Sequence, residues 1–414
     1  MSCHPKWLAW AALCCVSMPW CRAQEWSEAD IIERLESLSP QVRELRARVA
    51  VVEADVRTRT VYPNPSVSYS REGAGYAEFI EASQTLPLNG RLRYLRDAGN
   101  AAVGVANAGR EALLWSLRSD LRVAFYRMVG SQERVQLLSG SIGAVEQLVR
   151  VLRQREDEGE GSHYDRVRAE RELAELRTDL SGARTLVAAA GARLAGFLPE
   201  GTAVQRVTGR LSLATEAPGL EELVRRALAA RADYHAGQRN LARYQAEEQA
   251  ARRLRIPEPV VTAGVKRGNV NSGLPPNPFA DVTRTGLAFS VSVPILAFNR
   301  GQYEVARFQA EQEQVQAQMA ALARRIQTEI QGARDVVSLR QEALTAYRRE
   351  LDSAGSELTQ ITQVAYEEGE IGILELLDAL RLSRAASLRL LDLQAGVKEA
   401  GIELERVVGE EVRP

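Results

Sequence analysis

Two acidic residues beside a glycine turn have the clearest chemical potential in this sequence. Glu375 and Asp378 follow the turn at 368–372 and are three positions apart. On a helix, this spacing places both carboxylates on one face, where like charges are mildly unfavourable unless something opposes them. The pair could attract cations, or it could belong to an ordinary solvated helix face.

A second glycine turn, at 158–161, precedes another acidic residue. Asp165 occupies the place equivalent to Glu375, at an offset of 210 positions. Its neighbours Arg166 and Arg168 could pair with carboxylates from adjacent hairpins. Glycine tolerates the backbone angles of tight bends. We therefore expect the turn glycines to form hairpin bends, or plain helix ends, at Gly159, Gly161, Gly369 and Gly372.

Side chains for catalysis or metal binding are sparse. Beyond the N-terminal segment the chain has two histidines, His163 and His235, which are far apart in sequence. No zinc, phosphate-binding or serine-hydrolase motif occurs. His163 could contact a metal transiently, but a lone histidine is more often a surface residue. We predict no enzymatic activity, no cofactor and no metal-ligating residue.

The composition favours long helices and offers no general attraction to nucleic acid. Aromatic residues make up 6% of the chain, and its formal net charge is -1. Alanine, leucine, arginine, glutamate and glutamine, which are abundant here, are good helix formers. A near-neutral chain gives a nucleic-acid partner no electrostatic support.

The N-terminus resembles a secretory signal peptide. Lys6 precedes an apolar run at 8–16 that is too short to span a bilayer. We predict cleavage after Ala23, so that residues 1–23 are removed together with all four cysteines; an uncleaved anchor, or lipidation at Cys21, is the alternative. No later apolar stretch reaches 18 residues, so we expect any membrane-spanning part to consist of strands.

In the rest of the chain, the residue pattern predicts the same series of elements twice. The series is helix, β-hairpin, long helix, turn and return helix. We expect a first repeat at 24–198, with its hairpin at 66–86, a linker at 199–218, and a second repeat at 219–414, with its hairpin at 260–294. Three landmarks recur in the same order in both halves: a Pro-x-Pro motif, the proline at the end of the hairpin and the glycine turn. Their offsets are 194, 207 and 210 positions. Chance similarity of amphipathic helices explains that order poorly.

The predicted helices differ greatly in length. The first helices cover about 27–60 and 220–255, the long helices about 92–156 and 302–366, and the return helices about 164–198 and 374–408. At 1.5 Å per residue each long helix extends about 100 Å, more than a compact globule needs. Pro87 and Pro294 mark the junctions where a strand ends and a long helix follows.

The predicted strands alternate strictly. At 286–293, Leu287, Phe289 and Val291 point one way, while small and polar residues point the other way. A bilayer strand and a half-buried soluble strand both show this pattern. In a bilayer four strands cannot remain an open sheet, and four are fewer than the roughly eight of the smallest common barrels. Copies must then share a barrel, and three copies supply twelve strands.

At the level of motifs, the sequence resembles the TolC-like outer membrane efflux protein family. The resemblance rests on "YPNPSVSY" (62–69), "SQTLPLNGRLRYLRDAG" (83–99), "FSVSVPILAFNRGQYEVARFQAE" (289–311) and "AYEEGEIGILELLDALRLSRA" (365–385). It covers nearly all of the chain after the signal. The Pro-Asn-Pro and the following Gln-x-Leu-Pro-Leu-x-Gly-Arg look most like the heavy-metal-efflux branch.

The resemblance implies a mainly α-helical fold with a small membrane β part. It implies a homotrimer, in which a twelve-stranded β-barrel in the outer membrane continues into an α-helical barrel that extends into the periplasm. It also implies a periplasmic adaptor, an inner-membrane transporter of the RND type, and contact with outer-membrane lipid. Glu375, Asp378 and Asp165 would line the channel tip as its gate, and the turn glycines would meet the adaptor. Some members carry a basic residue where this chain has Ile371.

Three functions follow from these expectations. The leading one is an outer-membrane duct that passively conducts heavy-metal cations or small toxic organic compounds out of the cell. A protein-secretion duct of the same architecture is the second. A soluble periplasmic coiled-coil scaffold is the third, and it accounts for the helices but not for the alternating strands.

Overall fold

The computed structural model describes residues 25–72, 77–212, 218–271, 281–368 and 370–412. The predicted signal peptide at 1–23, with its cysteines, and the turn residue Gly369 lie outside the described residues.

The chain is mainly helical, as predicted. In order along the chain, its elements are β1 (Glu25–Ser27), α1 (Glu28–Leu38), α2 (Pro40–Thr60), β2 (Ser66–Glu72), β3 (Ala77–Thr85), α3 (Arg91–Asp157), α4 (His163–Ala195), β4 (Arg206–Thr208), α5 (Leu220–Ala230), α6 (Ala232–Arg252), β5 (Val260–Asn271), β6 (Asp281–Ser292), α7 (Gln302–Glu367) and α8 (Ile373–Val408), with a short 3₁₀ helix at Arg253–Arg255 after α6.

The two long helices are confirmed to within one residue at each end. Helix α3 has 67 residues and α7 has 66. At 1.5 Å per residue both are about 100 Å long. Each begins after a glycine with a left-handed backbone, Gly90 at φ 71° and Gly301 at φ 77°. This conformation strains other residues, so the two junctions depend on glycine.

The first helix of each half was predicted as one continuous segment, and this is wrong. In the first half, Ser39 is extended and Pro40 begins α2, because a proline disfavours the helical conformation of the residue before it. In the second half the break is at Arg231, without a proline. The Arg231 guanidinium contacts Asp233 Oδ2 at 2.7 Å and Glu329 Oε2 at 2.9 Å, so tertiary contacts hold this kink.

Four strands form one antiparallel sheet in the order β2-β3-β5-β6. The register pairs Tyr69 with Ile80, Ile80 with Val265, and Val265 with Leu287. Toward the β2–β3 loop, one side of the sheet carries a polar row of Arg71, Glu78, Arg267 and Thr285. Since alternate residues share a face, the rest of this side forms a largely apolar band across all four strands. We call it the apolar face; it consists of Val67, Tyr69, Ile80, Ala82, Val261, Ala263, Val265, Leu287, Phe289 and Val291.

The opposite side of the sheet carries mostly small and polar residues. It includes Ser68, Ser83, Thr262 and Ser290. Both sides of the sheet are uncovered within the protomer. On the apolar face Val67 is 77% and Leu287 92% exposed, and Ser68 and Ser290 on the opposite side are exposed as well. The alternation predicted from the sequence is therefore present, and the protomer alone does not bury the apolar face.

The predicted linker at 199–218 contributes a strand that was not predicted. Strand β4 pairs in parallel with β1, and Trp26 of β1 is buried. Around this pair lies a central core that joins α1, α3, α4 and α8; its largest fully buried side chains are Ile31, Leu35, Leu121, Phe125, Met128, Leu194 and Ile402. The start of the described chain is thus fixed to the middle of the helices.

Candidate functional site

The first glycine turn joins α3 to α4 through residues 158–162. Gly159 has a positive φ of 78°. At Gly161 a Cβ would lie only 2.7 Å from the backbone nitrogen of Glu156, closer than side-chain carbons approach. The bend therefore requires glycine at both positions for geometric reasons.

The second turn joins α7 to α8, and Gly372 is the residue preceding α8. Glu375 is the third residue of α8, just as Asp165 is the third residue of α4. The two carboxylates thus occupy equivalent positions at the helix N-termini, where negative charge is stabilised by the helix dipole. Gly369 was predicted in this turn and lies outside the described residues.

Glu375 and Asp378 are both exposed to solvent on the first turns of α8. Among the described residues neither forms an ion pair with a cationic side chain. Asp378 is near enough to Arg381 to contribute to the raised pKa of that guanidinium, although the hydrogen bond from Arg381 to Glu172 is the main cause. No cationic side chain of the described protomer therefore neutralises the acidic pair by direct contact.

Pairing with carboxylates of adjacent hairpins was one option for the arginines beside Asp165. Within the protomer, Arg166 bonds to its own hairpin, with Nε 2.5 Å from Glu156 Oε2. Arg168 donates to the hydroxyl of Tyr164 at 2.9 Å. The hydrogen bonds from Arg166 and His163 lower the pKa of Glu156. Within the protomer, Arg166 therefore closes the first hairpin on itself.

A buried ion pair that sequence reasoning missed links the two hairpins. Glu172 of α4 is 3% exposed and accepts hydrogen bonds from two arginines of α8. Arg381 Nε lies 2.7 Å from its Oε2, and Arg384 Nη1 lies 3.1 Å from its Oε1. Burial alone raises the pKa of this carboxyl, but the two guanidiniums outweigh it, and the net pKa is lowered.

Apolar packing surrounds this ion pair. We call it the tip core: it joins α3, α4 and α8, and it contains the buried side chains Leu138, Ile142, Val145, Val149, Leu152, Leu173, Leu176, Ile373, Leu376 and Leu377. In the sequence, Glu172 is recognisable only as a glutamate that stands beside the regularly spaced apolar residues of α4. Its two partners are on α8, about two hundred positions away, and no local pattern connects them.

The two predicted strand-to-helix junctions share the position of a proline and one kind of asparagine hydrogen bond. Pro87 and Pro294 each follow the last strand residue by two positions. After each proline an asparagine side chain accepts from the backbone two residues on: Asn89 Oδ1 from Arg91 N at 3.0 Å, and Asn299 Oδ1 from Gly301 N at 2.9 Å. The prolines were predicted, whereas the role of the asparagines was not.

Membrane-spanning helices and metal-binding clusters are both missing from the described part of the chain. Among the described residues, no helix combines the length and the apolar character needed to cross a membrane. In the same part of the chain, no three histidine, cysteine, aspartate or glutamate side chains are grouped so as to hold a metal ion.

Residues 223–410 match the family model for outer membrane efflux proteins. The chain is 24% identical over 391 residues to the cobalt-zinc-cadmium resistance protein CzcC of Cupriavidus metallidurans, covering 90% of this chain and 86% of CzcC.

Solved structures share the fold. The channel-forming protein CusC is 19% identical with a TM-score of 0.69, and the match covers 92% of each chain. The MtrE outer membrane channel of Neisseria gonorrhoeae, in its open state, is 18% identical with a TM-score of 0.68, covering 93% of this chain and 89% of MtrE. These matches confirm the resemblance to the TolC-like outer membrane efflux protein family. The predicted outer-membrane location agrees with them.

Proposed function

We propose that this protein is the outer-membrane channel of a tripartite efflux pump. It conducts substrates passively from an inner-membrane transporter and a periplasmic adaptor to the cell exterior. The observation that carries the proposal is the apolar face, which runs across all four strands and is uncovered in the protomer. A soluble scaffold would expose this surface to water, whereas a bilayer strand requires it.

The proposed assembly is a homotrimer. Strands β2 and β6 are the outer strands of the sheet, and unpaired backbone groups at sheet edges are costly in a bilayer. Pairing β6 of one copy with β2 of the next satisfies both edges, and three copies close a barrel of twelve strands. The same symmetry gathers the long helices into an α-helical barrel built from two repeats per protomer, 24–198 and 219–414, with the linker 199–218 at mid-height.

We propose that the hairpin turns form the periplasmic tip of this barrel. Helices of about 100 Å carry the turns far from the membrane. There Gly159, Gly161 and Gly372, together with Gly369, would shape the surface that meets the adaptor. Rings of Glu375, Asp378 and Asp165 from three copies would concentrate negative potential at the aperture, gate it and favour cations.

The proposed cargo is heavy-metal cations or small toxic organic compounds. The name of CzcC supports metal cations, and an RND-type transporter is the expected partner. The channel would pass metal without holding it tightly. A protein-secretion duct remains the second candidate, because the same helices and strands serve either cargo.

The test is an efflux measurement in cells from which this protein has been deleted. The cells are loaded in parallel with zinc or cobalt and with a fluorescent dye, and retention is compared with that of complemented cells. Selective metal retention supports metal efflux, and selective dye retention supports efflux of organic compounds. If both cargoes leave the deleted and the complemented cells at the same rate, the proposed efflux function is rejected.

A further inference from the structure

An excess of arginine surrounds the helix-side end of the sheet. The segments 57–65, 86–97, 252–259 and 293–307 flank the strand ends and together contain ten arginines against three acidic residues. The whole chain, in contrast, has a formal net charge of -1. We call these ten residues the arginine collar.

The register places the strand ends that the collar flanks side by side. Thr85 pairs with Val260, and Val260 pairs with Ser292, so the helix-side ends of β3, β5 and β6 are adjacent; Ser66 of β2 pairs with Ser83. The flanking segments therefore leave the sheet together, immediately beyond the apolar face.

Within the described part of the protomer, most collar arginines form no ion pair. Arg59 is paired with Glu247, and Arg252 with Glu248. Among the described residues Arg93, Arg96 and Arg300 form no ion pair, and all three are exposed. No carboxylate of the described protomer therefore neutralises these three positive charges.

Large apolar side chains are exposed in one of these flanking segments. In the loop between β6 and α7, Ile295 is 92% exposed and Phe298 is 95% exposed. The loop is held in place: Arg300 Nε donates to the carbonyl of Leu296 at 3.2 Å, next to the Asn299 turn. Exposed apolar groups beside exposed cations suit the boundary of a bilayer, where hydrocarbon meets headgroups.

We propose that the arginine collar binds the phosphates of anionic phospholipids in the periplasmic leaflet, while Ile295 and Phe298 enter its hydrocarbon edge. This inference rests on the proposed membrane location of the sheet. A guanidinium recognises phosphate through two parallel hydrogen bonds, and each arginine near an anionic bilayer surface contributes about fivefold in affinity.

The experiment uses the full mature chain, purified in detergent. A short-chain phosphatidylglycerol is titrated against the wild type, against the triple variant R93Q/R96Q/R300Q, and against the control R184Q/R348Q/R349Q, which removes three exposed arginines away from the collar. Phosphatidylethanolamine and inorganic phosphate are the comparison ligands. We expect the wild type to prefer phosphatidylglycerol, the collar variant to lose about 100-fold in affinity, and the control to match the wild type.

Several results would overturn the inference. One is equal affinity of the wild type and a folded collar variant for phosphatidylglycerol; another is inorganic phosphate binding as tightly as the lipid. If the triple variant does not fold, binding by the wild type is measured from about 0.05 to 0.5 M salt, and an affinity independent of salt rejects the collar. Membrane fractionation of the wild type is measured separately: its absence from the membrane rejects the proposed function, whereas normal insertion without lipid preference rejects the collar alone.

Discussion

Glu172 and Arg381 connect the two helical hairpins, although they are 209 positions apart in the chain. The Arg381 Nε donates to Glu172 Oε2 at 2.7 Å, and Arg384 binds the other carboxylate oxygen. Each hairpin turn is otherwise closed by bonds within its own hairpin, such as Arg166 to Glu156. Among the described residues, the polar connection between the hairpins near their tips therefore centres on one buried carboxylate, with a longer contact of 3.8 Å from Arg381 to Glu175 beside it.

We expect Glu172→Gln to loosen the tip. The substitution keeps the size of the side chain but removes the carboxylate partner of Arg384 and leaves Arg381 with the more distant Glu175, at 3.8 Å. We expect a cost of about 1–3 kcal/mol. The variant should unfold at a lower temperature than the wild type, and its channels in planar bilayers should open more often. Both are measured on purified protein.

The matched control for this change is Asp179→Asn, on the same helix. Asp179 is exposed, and the substitution removes the same charge. We expect the control to behave like the wild type in both assays. A Glu172→Gln protein as stable and as closed as the Asp179→Asn protein would show that the ion pair does not hold the hairpins together.

The Glu172 ion pair should also weaken in acid. Its pKa is lowered from the ordinary value of 4.5, so its contribution to stability is complete above that value and is lost as the pH falls through the folded pKa. The difference in thermal stability between wild type and Glu172→Gln should therefore be constant at neutral pH and shrink below about pH 4.5. A difference that grows on acidification would contradict this assignment.

Sequence patterns predicted the helices and strands because those elements repeat a local period. The ends of α3 and α7 are correct to within one residue, since helix-forming residues fill the segments and glycines bound them. The break at Pro40 follows from proline chemistry and should have been predicted. The break at Arg231 depends on Glu329, almost one hundred positions away, and no local pattern contains it.

The candidate site was only partly predictable for the same reason. Turn glycines and the acidic residues after them stand out in the sequence, and the structure places Asp165 and Glu375 at equivalent helix positions. The role of Glu172 depends on the packing of α4 against α8, which no local pattern specifies. A single protomer likewise cannot define the aperture, because the proposed carboxylate rings require three copies.

We expect the double variant Glu375→Gln and Asp378→Asn to reduce cation selectivity several-fold. In the proposed trimer it removes six negative charges from a narrow aperture, where they would concentrate cations. The measurement is the reversal potential of the reconstituted channel in a potassium chloride gradient. The folded state should be preserved, because both side chains are exposed.

The control for the tip charges is the double variant Asp179→Asn and Asp335→Asn, which removes the same number of charges from exposed helix positions elsewhere. Its selectivity should equal that of the wild type. If the control and the tip variant shift the reversal potential equally, the effect belongs to the overall charge, and Glu375 and Asp378 are residues of a solvated helix face.

Two neighbouring positions of β6 test the membrane assignment directly. Phe289 is on the apolar face and Ser290 is on the opposite side. If the apolar face contacts lipid, Phe289→Lys places a charge in hydrocarbon and should cost about 2–4 kcal/mol, whereas Ser290→Lys faces the lumen and should be tolerated. The amount of each variant in the outer-membrane fraction, and its heat-sensitive trimer on a gel, should fall for Phe289→Lys alone. If both variants accumulate equally in a soluble periplasmic fraction, the sheet is not a membrane element and the scaffold is the better description.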